Sequence, residues 1–226
     1  MALTRRNLIS ATILGAAAVA APMAQAKQKT PLKVSPKRRV LIQSSSRYHN
    51  SGYLDFAGDQ YEKLFGKEKY EILFIPYAKV AGTYDAYEKQ VQDAFKPYGH
   101  KIVSIHRFKD PQKAVREAKA IAVGGGDMPI AEPPSFNTFG FIPFQTNPHF
   151  ISGGTQGLNN ETREDRLEEF LWYNRDEEVI GLPEGTALFV TGEFDCEVIG
   201  PKDSEALYWF RQSEKGMKLE RIPLGT

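Results

Sequence analysis

The chain has 226 residues, 41% hydrophobic and 25% charged, which supplies one globular core and excludes a disordered or low-complexity protein. Its 29 basic and 28 acidic residues give a formal net charge of +1, too little to gather nucleic acid or an anionic membrane. One cysteine, Cys196, excludes an internal disulfide, and the scattered His49, His100, His106 and His149 offer no zinc spacing, so neither metal nor cofactor is expected.

Thr4-Arg5-Arg6-Asn7-Leu8-Ile9-Ser10 precedes an uncharged, alanine-rich run that ends in the small-x-small pattern Ala24-Gln25-Ala26. Residues 1–26 read as a twin-arginine signal peptide cleaved after Ala26. A membrane span over Asn7 to Ala26 is the weaker alternative, because the alanines and Pro22 make the run only mildly apolar. The expectation is a periplasmic protein, carried by the twin-arginine export machinery and not held at the membrane after cleavage. Residues 27–39, with Pro31, Pro36 and six basic side chains, read as a solvated linker to an α/β domain over 40–226.

Val40-Leu41-Ile42-Gln43 predicts a first strand that ends in Ser44-Ser45-Ser46, and Leu54, Tyr61, Leu64 and Phe65 suit a helix in which Gly58 is a weak point. Tyr70 to Ile75 is a nearly continuous apolar strand of the doubly buried kind. Thr83 caps a second helix through Tyr87, Val91 and Phe95, which Pro97 and Gly99 end. Lys101 to Ile105 is a third strand, and Asp110-Pro111 opens a helix to Lys119. The alternation predicts a doubly wound, mostly parallel α/β sheet with ligands at the carboxyl ends of its strands.

Ala120-Ile121-Ala122-Val123-Gly124-Gly125-Gly126 then reads as a buried strand opening into a loop that lets backbone approach a ligand. A crossover helix should follow. Instead the chain runs into Asp127-Met128-Pro129-Ile130-Ala131-Glu132-Pro133-Pro134, where prolines forbid a regular helix. Beyond it lie a proline-punctured, edge-type segment over Phe139 to Gln145, a helix from Thr162 to Asn174, and short strands at Val179–Gly181, Ala187–Val190, Cys196–Ile199 and Ala206–Phe210. Carboxylates flanking Cys196 in its strand should raise its thiol pKa, which argues against a nucleophile.

Several motifs in one order resemble the peptidase E family of serine peptidases, the α-aspartyl dipeptidases, which are related to cyanophycinase. They are Phe74-Ile75-Pro76-Tyr77-Ala78, Thr83-Tyr84-Asp85-Ala86-Tyr87, Ser104-Ile105-His106-Arg107 and Val123-Gly124-Gly125-Gly126 in the first half. Asp127-Met128-Pro129-Ile130, Thr146-Asn147-Pro148-His149-Phe150, Glu161-Thr162-Arg163-Glu164 and Gly181-Leu182-Pro183-Glu184-Gly185 follow in the second. The resemblance implies a flavodoxin-like, class I glutamine amidotransferase-like fold and removal of N-terminal aspartate from small acidic Asp-Xaa dipeptides. It makes His149 the general base, Glu184 the carboxylate that orients it, Asp127 a second acid nearby, and Arg163 a fork for the substrate carboxylate. The N–H groups of Gly125 and Gly126 suit a developing oxyanion.

The family's nucleophile sits in a Gly-x-Ser-Ala-Gly elbow, and this chain has no Gly-x-Ser-x-Gly anywhere. The loss falls between Gly126 and Asp127, where a crossover helix, a central strand and the elbow with its helix, on the order of 40 to 50 residues by element lengths, are missing. The expectation is therefore a dipeptidase scaffold silenced by an internal deletion. The alternatives are a non-catalytic binder of acidic peptides or amino acids and, more weakly, a nucleotide-binding module suggested by the glycines.

Overall fold

The structure is a computed structural model that describes residues 37–79, 81–125, 141–153, 161–192, 195–200 and 207–222. The expected signal peptide, Gly126 and Asp127 lie outside the described residues. Among the described residues, no helix is long and apolar enough to cross a membrane.

The fold is mixed α/β, and the described residues place parallel and antiparallel strands in three sheets. The first half builds a parallel sheet in the order β3-β2-β4, from β2 (Glu71–Ile75), β3 (Lys101–Ser104) and β4 (Ile121–Val123). Helices α1 (Gly58–Phe65) and α2 (Tyr84–Phe95) pack on it. Ile72 and Phe74 from β2 meet Tyr61, Tyr87, Val91 and Phe95 from the helices, a period-2 face against a period-3.6 face. Gly58 does not break its helix but starts it, after a single 3-10 turn over Asp55–Ala57. The Thr83 hydroxyl caps α2 by accepting the Ala86 N–H, and Asp110 caps α3 (Pro111–Glu117) by accepting that of Lys113.

The second half is a sandwich. One sheet runs β10-β9-β6-β5, from β5 (Gln145–Pro148), β6 (Glu178–Leu182), β9 (Leu207–Ser213) and β10 (Gly216–Ile222). Only β5 and β6 in it are parallel. One of its faces receives α4 (Arg163–Tyr173), through Leu167, Leu171, Phe150, Val179, Tyr208 and Phe210. Its other face packs on the antiparallel sheet β1-β7-β8, from β1 (Arg39–Gln43), β7 (Ala187–Thr191) and β8 (Asp195–Ile199). Ile180, Leu182, Leu207 and Trp209 interlock there with Leu188, Val190 and Cys196.

Two expectations change. A mostly parallel sheet holds for β3-β2-β4 and β5-β6, whereas four of the seven described strand pairs are antiparallel. The first strand does not join the first-half sheet but pairs with β7, Val40 opposite Val190 and Ile42 opposite Leu188. The edge-type segment also begins later than expected, since 141–144 is irregular and β5 spans the Asn147-Pro148 motif.

Candidate functional site

The carboxyl ends of β1, β4, β5 and β6 open on one cleft of about 710 Å³. Its lining includes Ser44, Ser45 and Ser46 after β1, Gly124 and Gly125 after β4, His149 after β5, and Glu184 after β6. Ligand sites in open α/β sheets lie at such strand ends.

His149 follows Pro148 with φ 52°, a left-handed conformation uncommon for a residue with a Cβ. It is pinned there: its N–H donates to the Ser44 hydroxyl at 3.2 Å, which itself donates to the Leu182 carbonyl at 2.8 Å, and the next N–H, of Phe150, donates to that carbonyl at 3.0 Å. Strain held by a web of this kind is characteristic of working sites. The turn aims the imidazole at Glu184, whose Oε1 lies 2.9 Å from Nδ1. A carboxylate on Nδ1 orients the ring and leaves Nε2 as the nitrogen open to a reacting group.

Glu184 sits in the turn Pro183-Glu184-Gly185, and the turn needs its glycine twice over. Gly185 has φ +75°, and a Cβ there would stand 2.3 Å from the Tyr48 ring. The Gly185 N–H donates to the Ser45 hydroxyl at 3.3 Å. Ser44 and Ser45 thus brace the His149 and Glu184 loops through backbone bonds. Sequence reasoning missed this role, because a Ser-Ser-Ser run carries no signal for what it touches. Among the described residues, no hydroxyl is hydrogen-bonded to the His149 ring.

The glycine-rich loop divides into two functions. A Cβ on Gly124 would come within 2.7 Å of the Tyr87 hydroxyl and 2.9 Å of the Phe74 ring, so packing, rather than ligand approach, accounts for this residue. Gly125 faces open space, and its carbonyl accepts from Tyr87 at 2.7 Å. Arg163 lies in the first turn of α4, where Thr162 and Asp165 form a capping box. Its Nη1 donates to Asn147 Oδ1 at 3.0 Å and approaches the Pro148 carbonyl at 3.4 Å. Arg163 therefore steadies the strand that delivers His149 and is not among the cleft-lining residues, which instead include the cations Arg47 and Lys79.

Asp85, Glu88 and His106 converge on one point, with metal-ligand chemistry but a cation already in place. Arg107 donates from Nε to Glu88 at 2.7 Å and from Nη2 to Asp85 at 2.6 Å. Burial works against the Glu88 charge, yet the bonds from Arg107 and from the Ser104 N–H prevail and hold its carboxyl below the usual range. Burial, and next to it the Asp195 charge, pushes the Cys196 thiol up to about 11, as its flanking carboxylates led one to expect.

A histidine and carboxylate pair at the strand ends of an α/β domain has the chemistry of a general base and the group that orients it. The sequence model of Peptidase family S51 matches the chain in two pieces, residues 40–128 and 126–195, and the chain belongs to that family. Among its relatives, "Peptidase E" of Haemophilus influenzae is 36% identical over 200 residues, covering 68% of this chain and 92% of the relative. "Peptidase E" of Actinobacillus pleuropneumoniae serotype 7 is 34% identical over 213 residues, covering 74% and 91%. A "Probable alpha-aspartyl dipeptidase" of Drosophila melanogaster is 34% identical over 205 residues, covering 69% and 84%.

These shares carry a further fact. The Haemophilus alignment runs over 200 positions but draws on 68% of 226 residues, about 154, so about 46 positions of the relative have no counterpart here. The other two give about 46 and 49 in the same way. The two family matches meet at 126–128, the junction where an elbow segment was expected to be missing.

Proposed function

We propose that this chain is an α-aspartyl dipeptidase scaffold that keeps the base half of its acyl-transfer site and lacks the nucleophile half. The observation that carries the reading is the His149–Glu184 pair, held at 2.9 Å at the strand ends beside a cleft that presents no family-type serine. The substrate class is small Asp-Xaa dipeptides. In an intact site His149 Nε2 takes the serine proton, Glu184 stabilises the resulting imidazolium, and Asp127, Gly125 and Gly126 complete the surroundings. Arg163 contributes by holding Asn147 and Pro148, the residues that lead into His149. The same reading makes β3-β2-β4 and β5-β6 two parts of one doubly wound sheet parted at a missing strand.

Hydrolysis of Asp-Leu by the chain as it stands is expected to equal the buffer background. Inserting the relative's segment between Gly126 and Asp127 is expected to produce turnover that His149→Ala abolishes. Turnover without the insert, lost in His149→Ala, would overturn the silenced reading. Arg47 and Lys79 on the cleft wall favour a second reading, a non-catalytic binder of acidic dipeptides, which calorimetric titration with Asp-Leu tests. Export is part of the first reading: Arg5-Arg6 and Ala24-Gln25-Ala26 support periplasmic delivery, and Arg5→Lys/Arg6→Lys should leave the chain in the cytoplasm.

A further inference from the structure

We propose that the cleft binds a small amphiphilic anion, with a carboxylate head held by Arg47 and Lys79 and a straight apolar chain laid against Leu41, Leu54, Ile121 and Val123. The inference concerns a ligand rather than a reaction and does not rest on the dipeptidase reading.

Arg47 and Lys79 differ from other cations of the molecule in what they lack. Arg107 is paired with Asp85 and Glu88, Arg166 with Glu161, and Lys101 with Glu71. Among the described residues, neither the Arg47 nor the Lys79 side chain makes a hydrogen bond or an ion pair. Each lies over a tyrosine ring instead, Arg47 at 5.9 Å from the centre of Tyr53 and Lys79 at 5.0 Å from that of Tyr87. Both rings line the cleft, and the Tyr87 hydroxyl is fixed by its bond to the Gly125 carbonyl. Burial, and next to it the neighbouring Tyr87 phenol, raises the Tyr53 pKa, so at neutral pH its ring is an uncharged support. A ring face holds a cation without using up its N–H donors, which stay available to an anion.

The charge balance of the cleft suits such a head. Among the described residues Glu184 is the one carboxylate in the lining, and it is engaged with the His149 ring at 2.9 Å, which leaves both cations uncompensated. The wall suits a tail. Val123 is 62% exposed, and Ile121 lies two residues earlier on the same face of β4. Leu41, Leu54 and Ile121 are only half-buried in the same lining. At about 710 Å³ the cleft falls within the range of small-molecule sites, about 300–1,000 Å³. An alkyl chain removes this apolar wall from water, and the cations fix which end of the molecule stays at the surface.

The test titrates the full chain with hexanoate, octanoate and decanoate by calorimetry. Kd is expected to tighten about three- to fourfold with each added CH2 group. Decanol, with the same tail and no charge, should bind about tenfold or more weakly than decanoate. Arg47→Gln/Lys79→Gln should weaken decanoate by about tenfold or more while the melting temperature of the free chain stays where it was, because neither cation holds a partner that folding needs. Val123→Asn, at an exposed position, should flatten the dependence on chain length. Decanoate binding with no heat from Asp-Leu supports this site and counts against a binder of acidic dipeptides, and heat from Asp-Leu with none from decanoate does the reverse. The proposal is overturned if decanoate fails to bind at millimolar concentration, if chain length has no effect, if decanol binds as tightly, or if the double variant keeps its affinity. It is also overturned if the chain sediments with phosphatidylglycerol vesicles and ignores decanoate, since the cations would then be reading a bilayer surface.

Discussion

The two halves of the molecule differ in how completely their sheets are covered. The β10-β9-β6-β5 sheet has α4 on one face and β1-β7-β8 on the other, so Leu171, Leu182, Leu207 and Phe210 have no measurable exposure. The β3-β2-β4 sheet has helices α1 and α2 over Ile72 and Phe74, and the cleft reaches down to those residues. The difference follows the pairing of the strands: those with antiparallel partners enclose a closed core, and the parallel strands border the opening.

That contrast can be broken most directly with matched truncations. Leu182→Ala and Ile72→Ala remove the same number of atoms, from a sealed and a cleft-lining site respectively. Both fall in a range of about 2–5 kcal/mol, Leu182→Ala near the top and Ile72→Ala near the bottom, because the space left by Ile72 adjoins the cleft it lines and the space left by Leu182 is enclosed by two sheets. Urea denaturation measures both, and equal losses would remove the distinction. Gly185→Ala acts on the site carried by the sealed half. Left-handed backbone with a Cβ costs about 1–2 kcal/mol, and the Tyr48 ring must also move. The His149 ring resonances followed by NMR at fixed pH should move as Glu184 is displaced, with Gly185→Asn milder than Gly185→Val.

Glu88→Gln probes the other half and should cost about 1–3 kcal/mol at neutral pH. The Glu88 carboxyl is held below its ordinary value, so its contribution is present above the unfolded value near ~4.3 and lost as pH falls through the lowered folded value. The variant should therefore show a flatter loss of stability in acid. The smallest effect belongs to His100, whose Nδ1 accepts the Tyr70 N–H at 3.1 Å. Burial, and then Lys69, lowers its pKa, so the unfolded chain binds the extra proton first and stability falls as pH drops below about 6.5. His100→Gln should remove that slope, as thermal melts between pH 7 and pH 5 would show.

Most elements were legible because local chemistry decides them. Thr83, Asp110 and Thr162 mark helix starts by what their oxygens accept, and the Tyr70 to Ile75 run is a strand by composition alone. β10 was overlooked although Met217 and Leu219 alternate with Lys218 and Glu220, since its polar residues masked a period of two. The partner of β1 was not legible at all, because nothing within Val40 to Gln43 encodes a pairing with Ala187 to Val190. At the site, the His149 and Glu184 motifs led to a pair that the structure brings together. The bracing by Ser44 and Ser45 and the packing role of Gly124 are products of tertiary contact and have no sequence signature.

The clasp of β1 on β7 also sets the timing of folding. Arg39 lies opposite Thr191, about 150 residues later in the chain. At a synthesis rate of about 5–20 residues per second, β1 waits roughly 8–30 s on the ribosome before its partner exists. The sealed half therefore cannot be completed early and the open half added to it, as chain order alone would suggest. It closes last, over a loop that contains the whole β3-β2-β4 unit, so any delay or misstep in the half beside the cleft is inherited by the half that carries His149 and Glu184.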